Sequence, residues 1–268
     1  MDRSDPRERV AAHHRAGDGV ARIGYPIGVR RVPVVRRARI TPRILRLTLA
    51  GPGLAGLHTY QADDHVKIVF PDADGTRRDP VPNDHAELDW PRPFTPARKY
   101  TIRRYDPEAL ELDLDFVLHE GGVAATWAEG AALGEEVTVA GPPGAKAFPH
   151  TYDHYVFAVD ATGLPSVARW LDEAPEDVSA HVVVETGDES DHAYPLASRA
   201  GVDVTWLVRD GESRLAATVA ALPAPEGRAF LFAAGEADDL KPLRAWSRNR
   251  LDALITGYWK RGVAGLED

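Results

Sequence analysis

Apolar and polar residues alternate with a period of two in the first half of the chain, which predicts β-strands. The longest alternation runs from Leu110 to Leu118, where Leu or Phe takes every second position and acidic residues take most of the others. The segments Ile44–Leu49, His65–Phe70 and Val137–Ala140 also have strand length and adjoin Pro- or Gly-containing turns. Short strands of this kind predict a small antiparallel β-barrel, with an acidic surface loop at 72–90.

The pattern changes after Phe148, where apolar runs of strand length alternate with helix-like segments. This alternation predicts a parallel α/β domain whose ligands bind at the carboxyl ends of the strands. The predicted strands and helices are Tyr155–Val159, Leu164–Leu171, His181–Glu185, Val202–Val208, Ser213–Leu222, Ala229–Ala233 and Ala237–Leu251. We therefore predict an N-terminal extension at 1–28, a barrel domain at 29–150 and an α/β domain with a C-terminal aromatic and basic tail at 151–268.

The amino-acid composition excludes several kinds of redox and metal chemistry. The chain has 268 residues and no cysteine, which excludes disulfides, redox dithiols, thiolate-bound zinc and Cys-ligated iron–sulfur clusters. No metal-ligand constellation or hydrolase motif is evident, so electron transfer by this protein would need a bound organic cofactor. The sequence shows no apolar run of membrane-spanning length and no apolar signal core, and we expect a cytoplasmic, monomeric protein.

Charge is unevenly distributed along the chain. The net charge is −9 overall, yet residues 1–50 carry +8 and the remainder −17. A basic segment of this kind favours contact with anions, and its first two dozen residues are equally typical of a solvated tail. No nucleic-acid motif accompanies the basic residues, so we do not expect a nucleic-acid partner.

The stretch Arg98-Lys99-Tyr100-Thr101 follows a Pro-rich loop and begins a predicted strand. A Tyr ring suits stacking on a flavin, a Thr hydroxyl suits hydrogen bonding to it, and an Arg guanidinium suits a diphosphate. An ordinary strand with an exposed Arg is the alternative. Farther along, Gly121-Gly122 leads into a helix start with Thr126, an arrangement that brings backbone N–H groups close to a phosphate or simply joins a strand to a helix.

The α/β half offers a second group of candidate residues. Asp160 and Thr162 lie in the turn after its first strand, where a nucleotide binds in such folds and where helix caps also occur. Glu236 holds a similar position after a later strand, where it suits a nicotinamide contact or a helix N-terminus. The C-terminal stretch Gly257-Tyr258-Trp259-Lys260-Arg261-Gly262 places aromatics beside cations, which suits an anionic substrate or an aromatic anchor.

Taken together, these segments resemble the siderophore-interacting protein family of FAD-dependent ferric-siderophore reductases. Colinear matches carry the resemblance over about 29–262: Thr41-Pro42-Arg43, His65-Val66-Lys67, Arg98-Lys99-Tyr100-Thr101, Asp115-Phe116-Val117-Leu118-His119, Gly141-Pro142, Asp160-Ala161-Thr162-Gly163-Leu164-Pro165, Ala234-Gly235-Glu236-Ala237 and Gly257-Tyr258-Trp259-Lys260-Arg261-Gly262.

The resemblance implies a flavin-binding barrel followed by a nicotinamide-type α/β domain. It assigns three groups of residues: FAD contacts at Arg98, Tyr100, Thr101, Val117, His119, Gly122, Ala124, Ala125 and Thr126; nicotinamide-side contacts at Asp160, Thr162 and Glu236; and substrate contacts at Lys67, Lys260 and Arg261. The family usually has Ser at the position of Ala125 and Ala at that of Gly163.

The activity implied by the resemblance is reduction of a ferric siderophore. Electrons would pass from NADPH or NADH, or from ferredoxin, through FAD to Fe(III). No residue is assigned to catalysis or to metal ligation, because the flavin would carry the chemistry and the chelator the iron. The alternatives are a general flavin reductase or diaphorase, and a non-enzymatic siderophore- or flavin-binding protein.

Overall fold

The protein is described here by a computed structural model that covers residues 3–72 and 74–264. The chain divides into two compact units. The first comprises residues up to 10 together with 22–145, and the second comprises 11–21 together with 146 onwards. The units separate close to the predicted boundary at residue 150, whereas the predicted N-terminal extension is divided between them.

Before residue 150 most of the secondary-structure elements are strands, whereas after it strands and helices alternate. In chain order they are α1 Pro6–Ala16, β1 Ala21–Gly24, β2 Val29–Thr41, β3 Ile44–Ala50, β4 His65–Val69, β5 Val81–Pro82, β6 Leu88–Asp89, β7 Ala97–Asp106, β8 Glu111–Val117, α2 Val123–Gly130, β9 Glu136–Ala140, β10 Gly144–Ala147, β11 His154–Asp160, α3 Leu164–Glu173, β12 Ala180–Thr186, β13 Val202–Val208, α4 Leu215–Ala221, β14 Ala229–Glu236, α5 Lys241–Ser247 and β15 Asp252–Trp259.

Six strands of the first unit close into an antiparallel barrel in the order β2-β3-β8-β7-β4-β9. The alternation in β8 places Leu112, Leu114 and Phe116 inside, where they join side chains such as Leu47 and Ile68 in one apolar cluster. Closure leaves no unpaired strand edge, so every strand can bury one apolar face in the interior. The predicted antiparallel barrel is confirmed.

The outer face of β8 is also buried, which the alternation alone did not indicate. Asp113 accepts hydrogen bonds from Thr48 at 2.6 Å and from Arg104 at 2.9 Å, and Asp115 forms a two-point ion pair with Arg46 at 2.6 and 2.8 Å. These carboxylates are covered by the long arginine side chains of the neighbouring strands β3 and β7. Ion pairing thus lets acidic residues occupy buried positions on a strand.

The second unit contains a parallel sheet of five strands in the order β13-β12-β11-β14-β15. Its central strands are continuously apolar because helices or other segments cover both faces. Phe157, Phe230 and Phe232 are almost completely buried there, together with Trp170 of α3. The predicted parallel α/β domain is therefore confirmed.

Two local predictions in the second half were wrong. Within the predicted helix Ala237–Leu251, only Lys241–Ser247 (α5) is an α-helix. The chain then forms the edge strand β15, which pairs with β14 from Asp252 onwards. The sequence assigned these residues to a tail because an edge strand buries its side chains only partly and therefore shows a weak apolar pattern.

Residues 3–25 of the predicted N-terminal extension are also more ordered than a solvated tail. They contain α1 and β1, and Val10, Ile23 and Tyr25 are buried. The Tyr25 hydroxyl donates to Asp64 Oδ2 at 2.9 Å. The few apolar residues of this segment are widely spaced among charges, which is why the sequence pattern did not indicate their burial.

Within the described residues, no helix has both the length and the apolar character needed to cross a membrane.

Candidate functional site

In strand β7, the side chains of the Arg98–Thr101 stretch alternate between the two faces of the strand. Residues two apart in a strand share a face. Arg98 and Tyr100 accordingly lie on the side of Ile102, whose side chain is in the barrel interior, whereas Thr101 lies on the other side. The register confirms the assignment, because Tyr100 is opposite the buried Val66 of β4.

Arg98 carries a charge that no protein carboxylate neutralises, as far as the described residues go. Within the described residues, its guanidinium makes one hydrogen bond, from Nη1 to the carbonyl oxygen of Ala97 at 2.7 Å. The guanidinium keeps most of its five N–H donors for another acceptor. A half-buried arginine in this state is suited to an anionic ligand.

Tyr100 joins an aromatic cluster that extends from β7 to α2. Its ring centroid lies 4.1 Å from that of Phe116, which lies 5.8 Å from that of Trp127. Burial raises the pKa of the Tyr100 hydroxyl, so the side chain stays neutral at physiological pH. One part of the ring packs on the barrel core, and the side chain is half-buried, so its remaining surface is accessible to a stacking partner.

The turn between β8 and α2 has the backbone of an anion-binding loop. Gly121 has a φ of +74°, in the left-handed region that favours glycine. A Cβ on Gly122 would overlap the imidazole of His119. Gly122 is the N-cap of α2 and supplies no side-chain hydrogen bond, so the first N–H groups of the helix have no side-chain acceptor among the described residues.

The other predicted contacts near this turn differ in what they can offer. Ala124 and Ala125 point into the barrel core, with Ala125 only 1% exposed, so they have only backbone N–H groups to contribute. Thr126 is exposed, and its contact with a phosphate stays a prediction. Val117 ends β8 opposite Ile44, and His119 is exposed.

These features fit a flavin adenine dinucleotide. The aromatic cluster connects the Tyr100 platform with α2 on one side of the barrel, and Arg98 and the uncapped helix start supply cationic and N–H donors for a diphosphate. The individual FAD contacts predicted from the sequence stay predictions.

In the second unit, the carboxylate of Asp160 at the end of β11 accepts four hydrogen bonds. Its Oδ1 accepts from the backbone N–H of Thr162 at 2.8 Å and from the Thr162 hydroxyl at 2.6 Å. Its Oδ2 accepts from the N–H of Glu236 at 2.9 Å and from Trp259 Nε1 at 2.7 Å. Burial raises the pKa of this carboxyl, while the hydrogen bonds from Thr162 and Trp259 act in the opposite direction. The helix-cap interpretation of Asp160 and Thr162 therefore describes the structure.

Glu236 is similarly engaged within the protein. The side chain is almost completely buried, and its Oε2 accepts from the N–H groups of Asp238 at 2.7 Å and Asp239 at 2.9 Å. Its Oε1 accepts from the N–H of Arg261 at 3.0 Å. The preceding Gly235 is required because a Cβ there would lie 2.6 Å from Asp160 Oδ2. Contact of these residues with a nicotinamide nucleotide stays a prediction.

The cations at the end of β15 are held in ion pairs. Arg261 Nη2 lies 2.6 Å from Asp239 Oδ1 and 3.3 Å from Glu236 Oε2, and Lys260 Nζ lies 3.5 Å from Asp238 Oδ1. The hydrogen bond to Asp239 raises the pKa of the Arg261 guanidinium. Asp239 also pairs with Arg209 at 2.7 Å.

We call the ion pairs at the carboxyl end of the parallel sheet the edge network. It consists of four cations and four carboxylates: Arg209, Lys241, Lys260, Arg261, Glu185, Glu236, Asp238 and Asp239. Sequence reasoning missed Arg209, Lys241, Glu185, Asp238 and Asp239. The adjacent acids after Glu236 were a visible signal. Apart from Lys241, which is only three residues from Asp238, their partners follow other strands and become neighbours only in the folded sheet.

The third predicted substrate cation, Lys67, lies on β4 of the first unit. Its Nζ is 4.8 Å from the centroid of the Trp90 ring, within cation–π range. It is opposite Lys99 in the register with β7. The structure therefore places Lys67 beside the strand that carries Arg98 and Tyr100.

No group of three or more His, Cys, Asp or Glu side chains is arranged to bind a metal ion in the portion of the chain described.

Family models match nearly the whole chain. The model described as siderophore-interacting FAD-binding domain matches residues 33–146, and that described as siderophore-interacting protein matches residues 152–262. The first match contains Arg98, Tyr100 and the turn at Gly121-Gly122. The second contains Asp160 and the edge network.

Named relatives and a solved structure agree with these matches. A ferric vibriobactin reductase, ViuB, of Vibrio cholerae is 31% identical over 89% of this chain and 90% of its own length. An NADPH-dependent ferric-chelate reductase of Escherichia coli is 33% identical over 89% of this chain and 95% of its own. The crystal structure of a siderophore utilization protein from T. fusca superposes with a TM-score of 0.87 at 36% identity, over 92% of this chain and 98% of that one.

Proposed function

The chain belongs to the siderophore-interacting protein family, and from this premise we propose that it is an FAD-dependent oxidoreductase that reduces ferric siderophores with electrons from NADPH. One observation supports the assignment most strongly. Arg98, which has no carboxylate partner in the described chain, and Tyr100 are both half-buried, and both lie within the part that matches an FAD-binding domain.

The proposed reaction balances with this cofactor. Bound FAD supplies the conversion between a two-electron hydride donor and one-electron acceptors. One NADPH becomes NADP⁺ and gives up two electrons, two Fe(III) chelates become Fe(II) chelates, and one proton is released. A hard, oxygen-donor chelator holds Fe(II) less tightly than Fe(III), so reduction favours release of the iron.

The protein's own residues bind and orient in this proposal. Arg98 and the first N–H groups of α2 hold the diphosphate, and Tyr100 packs against the flavin. Lys67 in the first unit, and Lys260 and Arg261 in the second, are the proposed substrate contacts within their own units. NADPH is favoured as the donor because the Escherichia coli relative is named as NADPH-dependent, with NADH and ferredoxin as alternatives. We further propose that the protein acts as a monomer in the cytoplasm.

Spectroscopy followed by a donor-by-acceptor assay tests the function. Purified protein should bind FAD and then oxidise NADPH only when a ferric siderophore is present, with two Fe(II) trapped per NADPH. A protein that takes up no FAD would contradict the proposal. A protein that binds FAD, reduces ferricyanide as fast as the ferric siderophore and shows no saturation by the siderophore would instead be a diaphorase.

Two further measurements test the electron donor and the proposed substrate residue Lys67. Turnover with reduced ferredoxin and with neither nicotinamide nucleotide would reassign the electron donor. Lys67→Ala should raise the KM for a ferric siderophore and leave the flavin content unchanged. Loss of flavin in that variant would mean that Lys67 has a structural role.

A further inference from the structure

The edge network contains as many carboxylates as cations, although it surrounds the cations expected to meet the substrate. Lys260 is paired with Asp238, which Lys241 also contacts at 2.7 Å. Arg261 is paired with Asp239 and Glu236. Arg209 shares Asp239 and also lies 3.3 Å from Glu185. Each cation of the set therefore has a carboxylate within ion-pair distance.

These pairs are placed to cancel the field that a substrate would experience. The side chains of Arg261 and Lys260 are 49% and 39% exposed, so their outer faces are available to a ligand. Asp238, the partner of Lys260, is itself 43% exposed, and its charge reaches the same solvent region. The potential of an ion pair falls off faster than that of a single charge, so an approaching anion gains little.

The rest of the chain does not restore a positive field in this unit. Asp160 adds a further carboxyl beside the network, and its charge acts on Arg209. Residues 146–268, which belong to the second unit, include 12 basic and 20 acidic residues, a net charge of −8. Like-charge repulsion therefore opposes the approach of a polyanion to the second unit.

Ferric siderophores differ in charge according to their donor groups. Three catecholates bring six negative charges against three positive charges on iron, so their complex is trianionic. Three hydroxamates bring three negative charges, so their complex is neutral. A surface with balanced charges discriminates against the former and accepts the latter.

We infer that this chain selects ferric chelates without net negative charge, of which trihydroxamates are the natural class, over trianionic chelates, and that Asp238 and Asp239 set this preference. The inference rests on the proposed function. It assigns a specificity role to carboxylates that neutralise Lys260 and Arg261.

The test compares two chelates that differ only in charge. A ferric trihydroxamate is used either uncharged or with three appended carboxylates, so that the iron donors and the reduction potential stay the same. For the FAD-loaded wild-type protein, we expect the anionic form to have a KM about five-fold higher, with similar kcat. Raising the ionic strength from about 20 to about 200 mM should lower that KM and leave that of the neutral form unchanged.

Asp238→Asn supplies the decisive variant, because Asp238 is exposed and its loss should not disturb folding. It should lower the KM for the anionic chelate about five-fold at low ionic strength and leave the KM for the neutral chelate unchanged. Asp239→Asn should act in the same direction. Asp177→Asn removes an exposed acid in the turn that precedes β12, at the amino end of the parallel strands, and should change neither KM.

Each outcome bears on the inference. A lower KM for the anionic chelate in the wild type, rising with salt, would overturn it while leaving the ferric reductase function intact. An equal response of Asp177→Asn and Asp238→Asn would overturn the role of Asp238. Reduction of neither chelate by the FAD-loaded protein with NADPH would overturn the proposed function together with this inference.

Discussion

Two arginines that sequence patterns mark as anion-binding residues have opposite environments in the structure. Arg98 of the barrel donates to the carbonyl of Ala97 and has no carboxylate partner in the described parts of the chain. Arg261 of the α/β unit pairs with Asp239 and Glu236. The comparison teaches that the charge of a residue identifies a candidate, whereas its acidic neighbours decide whether it can attract a ligand. Arg98 is available for a phosphate, and Arg261 holds the end of β15 in place.

The largest expected effect comes from removing the charge that engages Arg261. Glu236→Gln should lower the free energy of unfolding by roughly 2–3 kcal/mol, because the buried carboxylate accepts three backbone N–H groups as well as the guanidinium. Chemical denaturation measures the change. Glu226→Gln, at an exposed loop position, is the control, and equal stability of the two variants would mean that the network around Glu236 contributes nothing.

The complementary change is made at the arginine without a carboxylate partner. Arg98→Ala should weaken FAD binding by roughly 1.5–3 kcal/mol, the range for a hydrogen bond to a charged group, with little change in folding stability. Titration of the apoprotein with FAD measures the affinity. Arg22→Ala removes an exposed arginine of β1 as the control. If both variants bind FAD as the wild type does, the role assigned to Arg98 is wrong.

Acid should affect the two regions differently. Burial acts against ionisation of Asp239, but hydrogen bonds from Arg209 and Arg261 lower the pKa of its carboxyl. A lowered pKa in the folded state stabilises the protein above the unfolded value of about 4, and this contribution is lost as the pH falls through the folded value. Asp239→Asn should therefore be less stable than the wild type at neutral pH, and the difference should shrink below about pH 4.

This pH dependence is measured by denaturation at a series of pH values. A constant difference between the Asp239→Asn variant and the wild type would show that the ion pairs of Asp239 do not contribute through its ionisation. Arg98 has no titrating protein partner in the described residues, so Arg98→Ala should shift stability equally at all these pH values.

The smallest effect is expected beside the barrel's anion-binding turn. Thr126 is exposed, and its hydroxyl makes no hydrogen bond within the described residues, whereas the N–H groups at the start of α2 lack side-chain acceptors there. Thr126→Ala should weaken FAD binding by less than about 0.5 kcal/mol, well below the effect of Arg98→Ala. An effect as large as that of Arg98→Ala, measured by the same titration, would transfer the phosphate contact from the backbone to the hydroxyl.

Much of the fold was predictable because its signals are local. The alternation in β8 and the strand–helix rhythm after Phe148 predicted the barrel and the parallel sheet, and both are confirmed. Strand β15 was missed because its residues are half-buried at the edge of the sheet. The burial of Asp113 and Asp115 was missed for a different reason, since the arginines that cover them belong to the neighbouring strands β3 and β7.

The sequence by itself determined the order of most elements, the family resemblance and the position of Arg98 and Tyr100 in a strand. Periodicity and short motifs are written in neighbouring residues, so they need no knowledge of the folded chain. Only the tertiary structure decided which arginine has acidic partners. Arg209, Asp239 and Arg261 follow three different strands, and the parallel sheet brings their ends to one edge. Charge pairing depends on distance in space, and that distance is set by the fold.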